Sequence, residues 1–381
     1  MASGRAPQRR PAGRLERGSI DIAGIRRTYW LARAPQPRAP LLIVLHGSGM
    51  TGKNMARFTG LAVRGPAAGM TTVFPDGWKG VWHPVRVPAR EPALDDARFL
   101  SQLTRRLEAE GAASSWPIVL AGVSNGALFA EHLARHGLLP VTGLFLVSGT
   151  ALEVSRRAAP VPLLRSTMVC LMGTGDRSVP YEGGSLTRRG ASGWVLRRRA
   201  ARHGELPGDA VVAGAETVVR DWATGNGITG GPAFEELPAQ AGDPTVTRMT
   251  WSAPGCRPAV LYRVDGGGHG WPCCPGEIPR DPPPAAVLAV TARGRKGRRP
   301  PAATQSRRAS PRATPRHLDA TGLLLEMALL ARGDDPTEPP ASPLRLPAVP
   351  SRGRGPVGPR GPRDPEPVQG GGDEVDRAPG A

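Results

Sequence analysis

The chain has 381 residues, enough for one large α/β domain or two smaller ones. Its formal net charge is +18, but residues 273–316 hold ten Lys/Arg against two Asp/Glu, so much of the excess sits in one proline-rich stretch. That stretch has no aromatic residue, which argues against a stacking platform for nucleic acid, and no apolar run is long enough to span a bilayer.

Residues 1–17 are polar and arginine-rich, with no apolar core of a secretory signal, and read as a disordered N-terminus. Residues 19–32 read as a strand pair, with Ile20, Ile22, Ile25 and the run Tyr29-Trp30-Leu31. Residues 41–45 are a continuous apolar strand, of the kind buried on both faces of a parallel sheet, and end in His46-Gly47-Ser48-Gly49. A short helix over 54–64 and a strand over 71–74 follow. Leu94, Ala97, Leu100, Leu103 and Leu107 fall near a 3.6-residue period and predict a helix over 94–110, with Asp95-Asp96 capping its start. A strand over 117–121 leads through a turn into a helix over 127–135. Strands over 143–147 and 167–172, a helix near 192–203, and strands near 246–251 and 259–264 complete the pattern. Strands alternating with helices predict an α/β fold with a mostly parallel sheet covered on both faces.

Four domain boundaries follow. Residues 18–272 read as the main α/β domain, and 273–316 as an Arg/Pro-rich disordered insertion unable to bury a core. Residues 317–332, with Leu323, Leu324, Leu325 and Met327, supply the closing helix, and 333–381 form a disordered tail. The cysteines, at 170, 256, 273 and 274, show no zinc spacing. Cys170 lies in an apolar run and reads as core; a disulfide from Cys256 to Cys273 or Cys274 stays open.

The chemistry centres on Gly122-Val123-Ser124-Asn125-Gly126, placed between a strand and a helix. A serine at the apex of such a turn is held in strained backbone angles, and its neighbours two residues either side must be small. The blander reading is a tight turn with an inert serine. A nucleophile of this kind needs an acid and then a histidine, each after a strand. Asp176 follows the 167–172 strand in Gly173-Thr174-Gly175-Asp176, and His269 follows the 259–264 strand in Asp265-Gly266-Gly267-Gly268-His269. Alone, each could be a turn residue; in this order they form a candidate Ser124–Asp176–His269 triad, with Asp265 as the competing acid. The oxyanion donors expected are the N–H of Asn125 and that of Ser48, with Gly49 the alternate, while His46 braces the loop. Trp271, two residues from His269, is the candidate substrate-binding wall; Trp78 and Trp82 are weaker candidates, more readily explained by packing.

With these segments together — LLIVLHGSG, LDDARFLSQL, VLAGVSNGALFA, GTGDRSVPYEGG, DWATGNGITGGP and VLYRVDGGGHGWP — the chain resembles the polyhydroxybutyrate depolymerase and feruloyl esterase family of α/β-hydrolases. The resemblance implies an α/β-hydrolase fold and a triad of Ser124, Asp176 and His269. It also implies hydrolysis of hydroxyalkanoate oligomers, feruloyl or acetyl esters, without metal or organic cofactor. The chain departs from the family at Met172, where a histidine is common, and at Ile228, where a cysteine is common. Family members are often secreted. Two other functions compete: a silent hydrolase fold binding polyanions through its basic segments, and an acyltransferase using the same triad. The partner expected is a small-molecule or oligomeric ester, with no specific nucleic acid and no membrane span.

Overall fold

The computed structural model of the chain describes residues 14–83, 95–160, 162, 165–186, 210–238, 242–272 and 318–330. The insertion 273–316, the tail 333–381, Cys273, Cys274 and the helix expected near 192–203 lie outside the described residues. Cys170 is a buried free thiol and Cys256 a half-buried one.

The strands in chain order are β1 (Leu15–Ile22), β2 (Ile25–Ala32), β3 (Ala39–Leu45), β4 (Thr71–Pro75), β5 (Ala113–Val123), β6 (Gly143–Val147), β7 (Thr167–Gly173), β8 (Gly184–Ser185), β9 (Val211–Val212), β10 (Ala233–Glu236), β11 (Val246–Trp251) and β12 (Ala259–Val264). Ten of them form one sheet in the order β1-β2-β4-β3-β5-β6-β7-β12-β11-β10. Its centre, from β4 through β3, β5, β6 and β7 to β12, is parallel; the pairs at each margin are antiparallel. This is the α/β-hydrolase fold. Strand β1 begins at Leu15, inside the segment expected to be disordered up to residue 17, because Leu15 and Glu16 pair with Ala32 and Leu31 of β2.

The helices are α1 (Gly52–Thr59), α2 (Leu61–Ala67), α3 (Asp96–Ala109), α4 (Asn125–Arg135), α5 (Glu153–Ala158), α6 (Ala215–Gly225) and α7 (Ala320–Leu330). The single helix expected over 54–64 is two, because Gly60 takes the left-handed conformation, with φ 68°. Asp95 caps α3, accepting from the Arg98 N–H at 2.9 Å.

Alternation along the central strands sends side chains to both faces. Ile43, Leu45, Leu120, Leu144, Leu146, Cys170 and Leu261 share one core with Phe99, Leu103 and Leu107 of α3, Phe129 and Leu133 of α4, and Trp222 of α6. The other face carries α1, α2 and α7. Thr321 Oγ1 donates to the Thr59 carbonyl at 2.8 Å and Arg64 pairs with Asp319 at 2.7 Å, which ties α7 to the first two helices. Met327 of α7 lies over Gly143, where an added Cβ would stand 3.2 Å from its Cε.

Helix α4 ends in a buried polar seam. Glu131 and Arg135 are fully buried and paired one turn apart; Arg135 also donates to the carbonyls of Ala159 and Pro160 at 2.8 and 3.0 Å. His132 Nδ1 and His136 Nε2 both meet Ser155 Oγ, at 2.8 and 3.1 Å. Burial, helped by the neighbouring His136, pushes the His132 imidazole down from 6.5 to about 4. In that window the unfolded chain holds a proton that the folded chain refuses. The stability from this group is therefore present above the unfolded value and lost as pH falls through the folded one. In urea melts at about pH 7.5 and about pH 4.5, wild type is expected to lose more stability on acidification than His132→Gln. The same loss in both would refute this assignment.

Candidate active site

Ser124 sits at the carboxyl end of β5, with φ 55° and ψ −122°. Such angles are costly for a residue with a Cβ and persist only where the surroundings enforce them. Here Ser124 N donates to Val147 O at 2.9 Å, and α4 starts at the next residue. The flanking glycines are needed for space. A Cβ on Gly122 would lie 2.4 Å from the Gly126 carbonyl oxygen, and one on Gly126 would lie 2.5 Å from that of His46.

The acid and histidine loops pack backbone on backbone. A Cβ on Gly173 would stand 2.3 Å from Gly267 O. Gly175 N donates to Gly267 O at 2.9 Å, Thr174 N to Val264 O at 2.9 Å, and Gly266 N to Thr174 Oγ1 at 2.8 Å. This glycine-on-glycine contact brings Asp176 against His269, with 2.7 Å between Oδ2 and Nδ1. The other carboxylate oxygen, Oδ1, accepts from Ser178 N at 2.7 Å and Val179 N at 3.0 Å. The Asp176 side chain is fully buried, whereas 29% of the His269 side chain is exposed. With Nδ1 committed to the carboxylate, Nε2 is the nitrogen available for proton exchange. Asp265, the competing acid, instead pairs with Arg263 at 2.8 Å on the surface.

The histidine loop is tied to the strand beside β5. Ser148, at the end of β6, accepts from Gly270 N at 3.0 Å and donates to Gly270 O at 3.2 Å. Ser124 N is hydrogen-bonded to Val147 O and Gly270 to Ser148 Oγ, so the serine turn and the histidine loop are both fastened to the end of β6. Ser148 was not anticipated. Its signal is its place after an apolar strand at the same sheet edge as Ser124.

On the other side of Ser124 lies the His46-Gly47-Ser48-Gly49 turn, where an added Cβ on Gly47 would be 3.5 Å from Ser124 Cβ. Gly49 N donates to Gly80 O at 2.8 Å, so the alternate oxyanion donor is already engaged. Among the described residues the turn leaves the Ser48 amide uncommitted, and Ser48 is exposed. Asn125 N is the first N–H of α4, which has no intrahelical acceptor and lies at the positive end of the helix. His46 is fully buried and pushed below its usual value by burial. Its Nδ1 donates to Gly47 O at 2.8 Å and its Nε2 accepts from Gly77 N at 2.9 Å. Both nitrogens are engaged, so His46 braces the turn as a neutral ring.

Trp271, the expected substrate wall, is packed in the core. It is 3% exposed, its Nε1 donates to Thr321 Oγ1 at 3.1 Å, and its ring lies 5.8 Å from that of Phe145. The indole packs against α7 and β6. Trp271→Ala is expected to cost about 3–5 kcal/mol in unfolding free energy. Trp271→Phe should leave KM for a small ester within about twofold, since the ring fills core volume. A large KM increase with unchanged stability would restore it as a substrate wall. Trp82 is fully buried and packs on Phe129 with 5.5 Å between ring centroids, whereas Trp78 is half-buried. Among the described residues no group of three or more His, Cys, Asp or Glu could hold a metal ion.

Among curated proteins the chain is similar to one named "Putative esterase NocK" from Nocardia uniformis subsp. tsuyamanensis. The two are 29% identical over an alignment of 293 residues that covers 72% of this chain and 77% of the relative. Among solved structures, an acetyl xylan esterase from Aspergillus awamori has a TM-score of 0.45 at 11% identity, over 67% of this chain and 94% of its own. An S-formylglutathione hydrolase from Agrobacterium tumefaciens has a TM-score of 0.37 at 12% identity, over 48% and 81%. No family model matches the chain.

Proposed function

We propose that this protein is a serine esterase that cleaves carboxylic esters through an acyl-enzyme on Ser124, with His269 as general base and acid and Asp176 as its partner. The observation that carries the reading is the buried Asp176 carboxylate, held by two backbone N–H groups and aimed at His269 Nδ1, at the same sheet edge as a serine with strained backbone angles. The similarity to a protein named as an esterase supports it.

In this mechanism Ser124 Oγ attacks the acyl carbon while His269 Nε2 takes its proton. The carbonyl oxygen becomes an oxyanion, which accepts from the N–H groups of Asn125 and Ser48. Collapse expels the alcohol, which leaves with the proton from His269. Water then attacks the acyl-enzyme with His269 again as base, and the carboxylic acid departs as the serine is regenerated. Acetyl esters, feruloyl esters and hydroxyalkanoate oligomers are the candidate substrates.

The test uses 4-nitrophenyl acetate. Wild type should release 4-nitrophenol, and a rapid acid quench should find one acetyl group on the peptide bearing Ser124. Acetylation confined to another residue, or release without an acyl-enzyme, would overturn the reading. Added methanol separates hydrolysis from acyl transfer by the ratio of acetate to methyl acetate formed.

A further inference from the structure

Two segments must hold their amides in register for an oxyanion to be received, and neither contacts the other through an oxyanion until the reaction is under way. What keeps them in place beforehand is a third segment, residues 77–82. Asn125 is 8% exposed, and its side chain grips both backbone groups of Trp82: Oδ1 accepts from Trp82 N at 2.7 Å, and Nδ2 donates to Trp82 O at 3.0 Å. The Trp82 indole Nε1 donates to His46 O at 3.0 Å, and its ring lies 5.1 Å from that of His46. Gly80 O holds Gly49 N at 2.8 Å, and Gly77 N holds His46 Nε2 at 2.9 Å. The 77–82 loop is thus fastened to the elbow by Asn125 and to the 46–49 turn by Gly77, Gly80 and Trp82.

We propose that the Asn125 carboxamide is a positioning residue for the oxyanion hole: through Trp82 it sets the spacing between the Asn125 amide and the Ser48 turn. The inference rests on the serine-esterase reading. A carboxamide suits this role because it donates and accepts at once, matching a peptide group that does the same. Aspartate, of the same size, offers only acceptors when ionised and would face the Trp82 carbonyl with like charge. Alanine leaves both Trp82 groups without their partner in a buried site. Misplacing oxyanion donors acts on the transition state more than on ester binding.

The experiment measures turnover of 4-nitrophenyl acetate by wild type, Asn125→Ala, Asn125→Asp and Ser124→Ala. Rates of wild type and the Asn125 variants are normalised to active sites titrated to completion with a fluorophosphonate, and that of Ser124→Ala to total protein. Both Asn125 variants should still be labelled, with kcat per titrated site lower by about 10–100-fold and KM within about threefold. The inhibition constant of a trifluoromethyl ketone, whose serine adduct places an oxyanion in the hole, should rise by a similar factor. A merely structural role would lower the labelled fraction and leave kcat per site and ketone affinity unchanged. Should Asn125→Ala fail to fold, the isosteric Asn125→Asp decides. Normal kcat per site in Asn125→Asp overturns the proposal. Full turnover by Ser124→Ala would overturn the serine-esterase reading and this inference with it, an outcome distinct from the first.

Discussion

Ser124→Ala is expected to remove nearly all ester hydrolysis while the protein stays folded. The side chain is partly exposed at the end of β5, and the substitution deletes one hydroxyl without disturbing the turn that Gly122 and Gly126 make possible. No acyl-enzyme can then form. What remains is the help given by the oxyanion donors and binding, about 10³–10⁴-fold over water when a triad member is lost. A fluorophosphonate should label wild type at Ser124 and leave the variant unlabelled. Turnover within a few-fold of wild type, or labelling elsewhere, would remove Ser124 from the mechanism.

Asp176→Asn carries the second large effect. The substitution keeps size and leaves Oδ1 to accept from Ser178 and Val179. It can present an amide N–H to His269 Nδ1, which favours the tautomer with its proton on Nε2. That nitrogen then cannot accept the serine proton, and kcat is expected to fall on the order of 10⁴-fold. Asp265→Asn should change kcat by less than about threefold, because an exposed ion pair with Arg263 contributes little. The reverse order of effects would assign the acid to Asp265.

Much of the site was legible in sequence because its constraints are local. The strain at Ser124 and the clash of a Cβ on Gly122 with the Gly126 carbonyl are set within five residues, so the pentapeptide shows them, whereas Gly126 is small because the carbonyls of Leu45 and His46 lie against it. The glycines before Asp176 and before His269 were equally visible, though their reason was not: Gly173 and Gly175 are small because Gly266 and Gly267 lie against them. Helix α6 went unanticipated although Ala215, Val218, Val219 and Trp222 repeat at helical spacing and are all buried. Helix α5, six residues long, gives no such period to read.

By itself the sequence determined the alternation of strands and helices, the parallel centre of the sheet and the candidate nucleophile. Each follows from periodicity, β-branched and apolar runs, or steric demands between near neighbours. Only the tertiary structure decided which carboxylate meets His269, since Asp176 lies 93 positions away and Asp265 only four, yet the packed glycine loops favour the distant one. It alone turned Trp271 inward against α7, committed Gly49 to Gly80, and set the Asn125 carboxamide on Trp82. These are contacts between strand ends and loops far apart in the chain. Their geometry depends on sheet order and register, which no local pattern of residues encodes.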